Sequence, residues 1–115
     1  MKVDDIRAFI PSKNYQESKL FYQALGFKMD YVSDDLSLFS KGECSFFLQN
    51  FYNVELATNL MFQLIVLDIN QAFDLVSNIQ NINVKFEPIS QQSWGQVFYL
   101  WGPAGELWHI TELAS

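Results

Sequence analysis

One order of secondary structure elements occurs twice along the chain, and this repeat limits the fold more than any other feature of the sequence. In the first half, an apolar run over residues 6–10 predicts a strand. Asn14, with Glu17 three residues later, has the spacing of a capping box and starts an amphipathic helix that Gly26 ends. Three short strands then follow, over residues 27–32, 36–39 and 44–49.

After a predicted loop over residues 50–59, the same order begins again. Residues 60–67 predict an apolar strand, and Asp68 or Asn70 can cap a second helix. Its apolar residues recur at helical spacing, at Ile69, Ala72, Phe73, Val76 and Ile79. The last strands are predicted over residues 84–89, 96–101 and 107–113. We therefore expect an α+β fold in one domain, residues 1–115, built from two βαβββ modules at about 1–52 and 58–115.

Length and composition agree with a folded protein of this size. A chain of 115 residues can bury a core without disulfides or metals, and with 50% apolar and 17% charged residues it lies far from the composition of disordered chains. No apolar stretch approaches the ~20 residues that span a bilayer, and the first residues lack the apolar core of a signal peptide. We expect a cytoplasmic protein with no membrane contact.

Cysteine content and charge exclude several kinds of site. Cys44 is the only cysteine, which rules out an internal disulfide and a zinc site of several thiolates, and we expect it to be a small buried apolar residue. The net charge is −6 and the seven Lys and Arg residues are scattered, so nucleic acid is not an expected partner. Such a charge favours cationic ligands, although it could also serve solubility alone.

Three segments resemble the glyoxalase/bleomycin-resistance family, the vicinal-oxygen-chelate superfamily, over nearly the whole chain. They are "SKLFYQALGF" at the first helix, "VLDINQAF" at the second, and "VFYLWGPAGELWHITEL" at the end. In the last segment Gly102 and Glu106 stand where the family's Asp-Pro-x-Gly-Asn turn has Asp and Asn. Gly102-Pro103 and Gly105 still suit a tight turn.

The resemblance places the family's metal-ligand positions at Arg7, Met61 and His109. Enzymes of the family hold a divalent metal there with His or Gln, His, and Glu. Arginine stays protonated and a methionine thioether is a soft ligand, so we expect neither a metal nor another cofactor. A register slip of one residue would instead bring in Asp5, Asn59 or Gln63. A metal-dependent lyase, isomerase or dioxygenase of the family therefore stays open as an alternative.

The final segment is most similar to the bleomycin-resistance branch of the family, including a histidine near position 109. This resemblance implies a homodimer that sequesters a flat, cationic small molecule in grooves at the dimer interface, without turnover. No residue beside His109 looks like an activated nucleophile, so we expect no catalytic residue and interpret His109 as a hydrogen-bonding pocket residue. A dimerising module that binds no small molecule is a third hypothesis.

Strand alternation predicts which side chains line that groove. On the last strand Leu107, His109 and Thr111 should face inward, while Trp108 and Ile110 face the helices. On its neighbour Val97, Tyr99 and Trp101 should face inward. The predicted ligand-binding residues are Arg7, Phe9, Phe47, Met61, Gln63, Tyr99, Trp101 and His109, with Trp94 at the rim. Phe9, Phe47 and Tyr99 could also be ordinary packing residues, and Trp94 could pack against the dimer partner.

Overall fold

Two mixed sheets, each covered on one side by a helix, form the framework. The computed structural model describes residues 1–115. The N-terminal module contains β1 (Phe9–Pro11), α1 (Tyr15–Ala24), β2 (Lys28–Ser33), β3 (Leu36–Lys41) and β4 (Cys44–Gln49). A short helix, α2 (Val54–Asn59), connects it to the C-terminal module. That module contains β5 (Met61–Ile65), α3 (Ile69–Ser77), β6 (Lys85–Phe86), β7 (Ser90–Gln92), β8 (Gly95–Trp101) and β9 (Leu107–Leu113).

The two sheets repeat one topology. The N-sheet has the order β1-β4-β3-β2, and the C-sheet has the order β5-β9-β8-β6, with β7 also paired to β8. In each sheet the first strand runs parallel to the last one, β1 to β4 and β5 to β9, while the other pairs are antiparallel. The predicted α+β class and the duplicated strand order are confirmed.

Both predicted helix starts are confirmed by their caps. The Asn14 side chain accepts a hydrogen bond from the Glu17 amide at 3.0 Å. The Asp68 side chain accepts from the amides of Asn70 and Gln71 at 3.1 and 3.2 Å, so Asp68 rather than Asn70 caps α3. Each cap satisfies amide groups that the first turn of a helix leaves without a partner.

Four local predictions are wrong. The first strand begins at Phe9, and residues 1–8 are exposed. The predicted loop over residues 50–59 contains α2, which Asn53 caps by accepting from the Leu56 amide at 2.9 Å. The predicted strand over residues 84–89 is reduced to β6, which one hydrogen bond from the Glu87 amide to the Tyr99 carbonyl extends, and regular pairing resumes at β7 after Pro88. Cys44 is exposed, since it opens β4 directly after a turn.

The core lies between the helix-facing sides of the two sheets. It is one cluster to which both modules contribute, with Tyr22, Phe39 and Phe46 from the first and Phe98, Trp108 and Ile110 from the second. Alternation along each strand places the neighbours of these residues on the opposite side of the sheet. Trp108, Ile110, Phe98 and Leu100 face the core as predicted, each at most 5% exposed. None of the three helices is long and apolar enough to cross a membrane.

The modules are joined at a buried hydrogen-bonded contact of Tyr22, Glu106 and Trp108, here named the Tyr22 junction. The Tyr22 hydroxyl donates to Glu106 Oε2 at 2.8 Å and accepts from Trp108 Nε1 at 3.0 Å. These are the only side-chain hydrogen bonds between the modules. The second carboxylate oxygen, Glu106 Oε1, accepts from the Ala104 amide at 3.0 Å. A carboxyl group with no exposure thus has partners for both oxygens.

Gly102 makes room for this carboxyl group. A Cβ atom at position 102 would collide with the Glu106 carboxylate. The Gly102 amide also donates to the Glu106 carbonyl at 2.8 Å, which closes the turn between β8 and β9. The two departures from the family's turn sequence therefore depend on each other, because the side chain of Glu106 fills the space that a side chain at position 102 would need.

The stability of the fold should depend on pH through Glu106. Burial raises the pKa of this carboxyl above its ordinary value of 4.5, so the folded protein takes up the proton at a higher pH than the unfolded chain does. Acidification from neutral pH through the raised pKa therefore adds stability from this group, and the gain is complete near pH 4.5. Glu106→Gln keeps the size and removes the titration. Urea unfolding should show the free energy of unfolding of the wild type rising relative to that of Glu106→Gln as the pH falls, and a constant difference would contradict this.

Candidate ligand-binding site

Three rings form a row on the side of the C-sheet that faces away from the core. Tyr99 lies directly opposite His109 in the β8–β9 pairing, and its ring meets the imidazole edge-on, with centroids 5.0 Å apart at 86°. Trp101 follows two residues later, with its ring centroid 6.4 Å from that of Tyr99. All three side chains are partly exposed. We name this surface, with Met61 and Gln63 on the adjacent strand β5, the C-face.

Polar groups border the row along β5 and β9. Gln63 pairs with His109 in register, and its amide donates to the Thr111 hydroxyl at 3.4 Å. Thr111 in turn donates to the His109 carbonyl at 3.2 Å. No hydrogen bond engages the ring nitrogens of His109, so they are open to a ligand. Thr111 and Val97 were expected to line the groove, but they are at most 1% exposed and offer no surface.

Lys85 is a member of the C-face that the sequence did not reveal. It lies opposite Trp101 in the β6–β8 pairing, and its ammonium nitrogen is 4.4 Å from the centre of the Trp101 ring. Such a geometry is a cation–π contact. The signal that would have found it is the cross-strand register, which the sequence alone does not give.

The aromatic residues of the N-terminal module form a second surface, the N-face, made of Arg7, Phe9 and Phe47. Phe9 and Phe47 are in register on β1 and β4 and stack with centroids 4.7 Å apart at 21°. The Arg7 guanidinium carbon is 5.8 Å from the centre of the Phe47 ring. Arg7 Nε donates to the Ser45 hydroxyl at 3.1 Å and lies 3.4 Å from the Asp5 carboxylate. The charge of Arg7 is therefore compensated locally.

Met61 and Trp94 lie at opposite ends of the C-face. Met61 is opposite Leu107, which is in turn opposite Trp101, so these three residues share one end of the sheet. Trp94 precedes β8, whose seven residues separate it from the Trp101 end by about 20 Å. Its side chain is 45% exposed, and its carbonyl accepts from the Ala114 amide at 3.0 Å. Trp94 thus lies at the far edge of the surface, away from the ring row.

The N-face and the C-face do not meet within one chain. Each lies on the side of its sheet opposite the core, while the Tyr22 junction and the aromatic contacts between Phe46 and Trp108 join the modules through their core sides. No side-chain hydrogen bond or aromatic contact connects a residue of one face to a residue of the other. The predicted ligand-binding residues therefore form two surfaces rather than one groove.

The residues at the three family ligand positions do not fit a divalent metal. Arg7 carries a guanidinium already bound to Asp5 and Ser45, Met61 offers a soft thioether, and His109 supplies one imidazole. No three His, Cys, Asp or Glu side chains are grouped where they could hold a metal. Of the residues that a register slip would bring in, Asp5 pairs with Arg7 and Asn59 donates to a carbonyl of its own helix, while Gln63 stays beside His109.

Comparison with solved structures gives close matches over the whole chain. A bleomycin-binding protein in complex with bleomycin matches with a TM-score of 0.77 and 16% identity, over 97% of this chain and 100% of that one. The fold is that of the bleomycin-resistance proteins. An antibiotic-binding protein from a Streptomyces species matches with a TM-score of 0.82 and 15% identity, over 99% of both chains. The family resemblance seen in the sequence is confirmed at the level of the fold.

A protein solved with a metal ion has the same fold. The fosfomycin resistance protein FosX from Listeria monocytogenes, solved with Mn(II) and sulfate, matches with a TM-score of 0.79 and 11% identity, over 99% of this chain and 93% of that one. No model of a protein family matches the sequence, and no curated protein does. At these identities the likeness extends to the fold alone, and the neighbours include one solved with an organic ligand and one solved with a metal ion.

The donor set leads to a prediction about metals. Calorimetric titration with Mn²⁺, Ni²⁺, Zn²⁺ or Fe²⁺ should show no tight stoichiometric binding, because one imidazole without carboxylate or thiolate partners is a weak site. His109→Ala is the matched control. Tight binding of one metal per chain in the wild type that disappears in His109→Ala would contradict the prediction and favour the metal-dependent enzyme.

Proposed function

We propose that the protein binds a planar, cationic small molecule, without chemical change, in a groove between the C-face of one copy and the N-face of a second copy of this chain. The observation that carries the proposal is the row of Tyr99, Trp101 and His109, whose three rings contact one another and stay partly exposed on one side of the C-sheet. Flat rings stack on such a row, and cations are attracted to the ring faces by ~0.5–2 kcal/mol for each good contact.

The charges near the faces support a cationic ligand. The Lys85 ammonium against the Trp101 ring indicates that this ring face takes a cation, and a ligand cation would have to displace it and overcome its charge. Arg7, which would repel such a ligand, is paired with Asp5. The net charge of −6 adds long-range attraction. Action in the cytoplasm remains our expectation, and a single exposed thiol suits a reducing compartment.

The chemistry of the site supports binding without turnover. His109 has no carboxylate to orient it and no nucleophile against it, because the Thr111 hydroxyl is engaged with a backbone carbonyl. The metal positions lack suitable donors, as described above. A structural neighbour of the same fold is a bleomycin-binding protein that was solved with bleomycin. We propose that this chain likewise binds its ligand, a molecule of similar chemistry.

The amount of exposed surface supports a second copy as the other wall of the groove. The chain exposes 7562 Å², whereas a compact monomer of 13.4 kDa exposes about 6,500 Å². Part of this excess of roughly 1,000 Å² comes from the exposed residues 1–8, and a standard interface buries ~800 Å² of each partner. Apolar side chains on both faces contribute to it, including Phe9 at 50% and Met61 at 66% exposure.

Removal of the Trp101 ring should weaken ligand binding. With bleomycin or the planar cation proflavine as probe, Trp101→Ala should reduce the affinity by ~1–3 kcal/mol, since both stacking and apolar area are lost. Tyr52→Ala is the control, because it removes an exposed ring that belongs to neither face. Calorimetry measures the affinity, and mass spectrometry determines whether the probe is recovered unchanged. Unchanged affinity in a folded Trp101→Ala, or recovery of an altered compound, would refute the proposal, and dimers that bind no probe would favour the interaction module.

Removal of the Lys85 charge should have the opposite effect. In Lys85→Gln the face of the Trp101 ring is free and a repulsive charge is gone, so proflavine should bind about two- to fivefold more tightly. Lys13→Gln is the control, because it removes a lysine that belongs to neither face, and it should change the affinity for proflavine little. The affinity for a neutral planar analogue should rise less in Lys85→Gln than the affinity for the cation does. Added salt should weaken the binding of the cation only. Equal changes for both probes would argue against a cationic ligand.

A further inference from the structure

A cavity of about 570 Å³ opens between the two modules on the core side, away from both the N-face and the C-face. Of its 17 lining residues 13 are apolar. Leu67 and Leu75 supply its exposed apolar surface, at 100% and 43% exposure, while Phe98, Leu100 and Ile110 at its base are at most 3% exposed. Leu25 from the end of α1 and Ala72 from α3 contribute to its walls. Its volume lies within the range of ~300–1,000 Å³ typical of small-molecule sites.

The unequal packing of the two helices accounts for this space. Helix α1 buries Tyr15, Ser18, Phe21 and Tyr22 against its sheet. Helix α3 buries only Ile69 and Val76, and the residue between them on this face is Ala72. Phe73 beside it packs against the Phe98 ring, and Ala72 adds only a methyl group on the cavity side.

The mouth of the cavity carries one cation without an ionic partner. Lys41 forms no ion pair and no hydrogen bond, and its ammonium nitrogen is 3.3 Å from the Cβ position of Gly26, at the C-terminal end of α1. The other charged lining residue is Asp68, whose carboxylate is engaged with two amides of α3. Gln71 is the one remaining polar side chain of the lining. The available charge at the mouth is therefore positive.

We propose that this cavity binds an amphiphilic small molecule, with its apolar body against Leu67 and Leu75 and one anionic head group, a carboxylate or its equivalent, at Lys41. An apolar body removes these two exposed side chains from water. A carboxylate supplies the ionic partner that Lys41 lacks. The site is independent of the proposed groove, because it shares no residue with either face.

Decanoate is a suitable probe, with decanol as its neutral counterpart. Cys44 is the only cysteine and lines the mouth, so the rate of its alkylation by iodoacetamide reports occupancy. We expect saturable binding of one decanoate per chain with slower alkylation of Cys44. Lys41→Gln should weaken the binding of decanoate about fivefold and leave the binding of decanol unchanged. Lys13→Gln replaces a lysine outside the cavity and should affect the binding of neither probe. An equal loss for both probes in Lys41→Gln would overturn the assignment of the head group.

Filling the cavity provides the second arm of the test. Ala72→Leu and Ala72→Phe should weaken the binding of decanoate, the larger side chain more, and leave the binding of proflavine intact. Trp101→Ala should weaken the binding of proflavine and leave the binding of decanoate intact. The two variants of Ala72 guard against failure of the larger one to fold. Decanoate that binds equally well to a folded Ala72→Phe, or binds without saturation, would overturn the proposal. A second copy that closes the cavity, seen as an oligomer that Ala72→Leu disrupts, would overturn it as well.

Discussion

The Tyr22 hydroxyl is the contact on which the arrangement of the two modules depends. It is the one side-chain group that links α1 of the N-terminal module to both Glu106 and Trp108 of the C-terminal module. A buried carboxyl group is costly unless its oxygens have partners, and an orphaned one costs more than an ordinary hydrogen bond contributes. The arrangement is therefore specific, because another orientation of the modules would leave Glu106 Oε2, the Tyr22 hydroxyl and Trp108 Nε1 without these partners inside the core.

This junction explains why the aromatic surfaces face apart. It holds the modules together by their helix-facing sides, so alternation along β4, β8 and β9 turns Phe47, Tyr99 and His109 outward. A groove that uses both faces needs a second copy of the chain. The cavity beside α3 also lies between the modules, with Leu25 of one module and Ala72 of the other in its lining.

The sequence predicted what local rules control. Helix caps, strand alternation and the repeated element order follow from spacings of two to four residues, and the core positions of Phe98 and Trp108 followed from alternation. Helix α2 was missed because six residues are too few to show a helical period, although Asn53 has the chemistry of a cap. The role of Lys85 depends on cross-strand register. Contacts between distant segments, such as Tyr22 with Glu106, leave no periodic signal, and for this reason the two faces were predicted as a single groove.

The claim that each groove combines two copies can be tested with mixed dimers. Phe47→Ala damages only the N-face and Trp101→Ala only the C-face, so each variant alone should bind proflavine weakly. In an equal mixture refolded together, half of the dimers pair one variant with the other, and one groove in each of these joins two intact faces. The account predicts that about a quarter of all grooves regain wild-type affinity in a proflavine titration. A mixture that binds no better than the separate variants would contradict it.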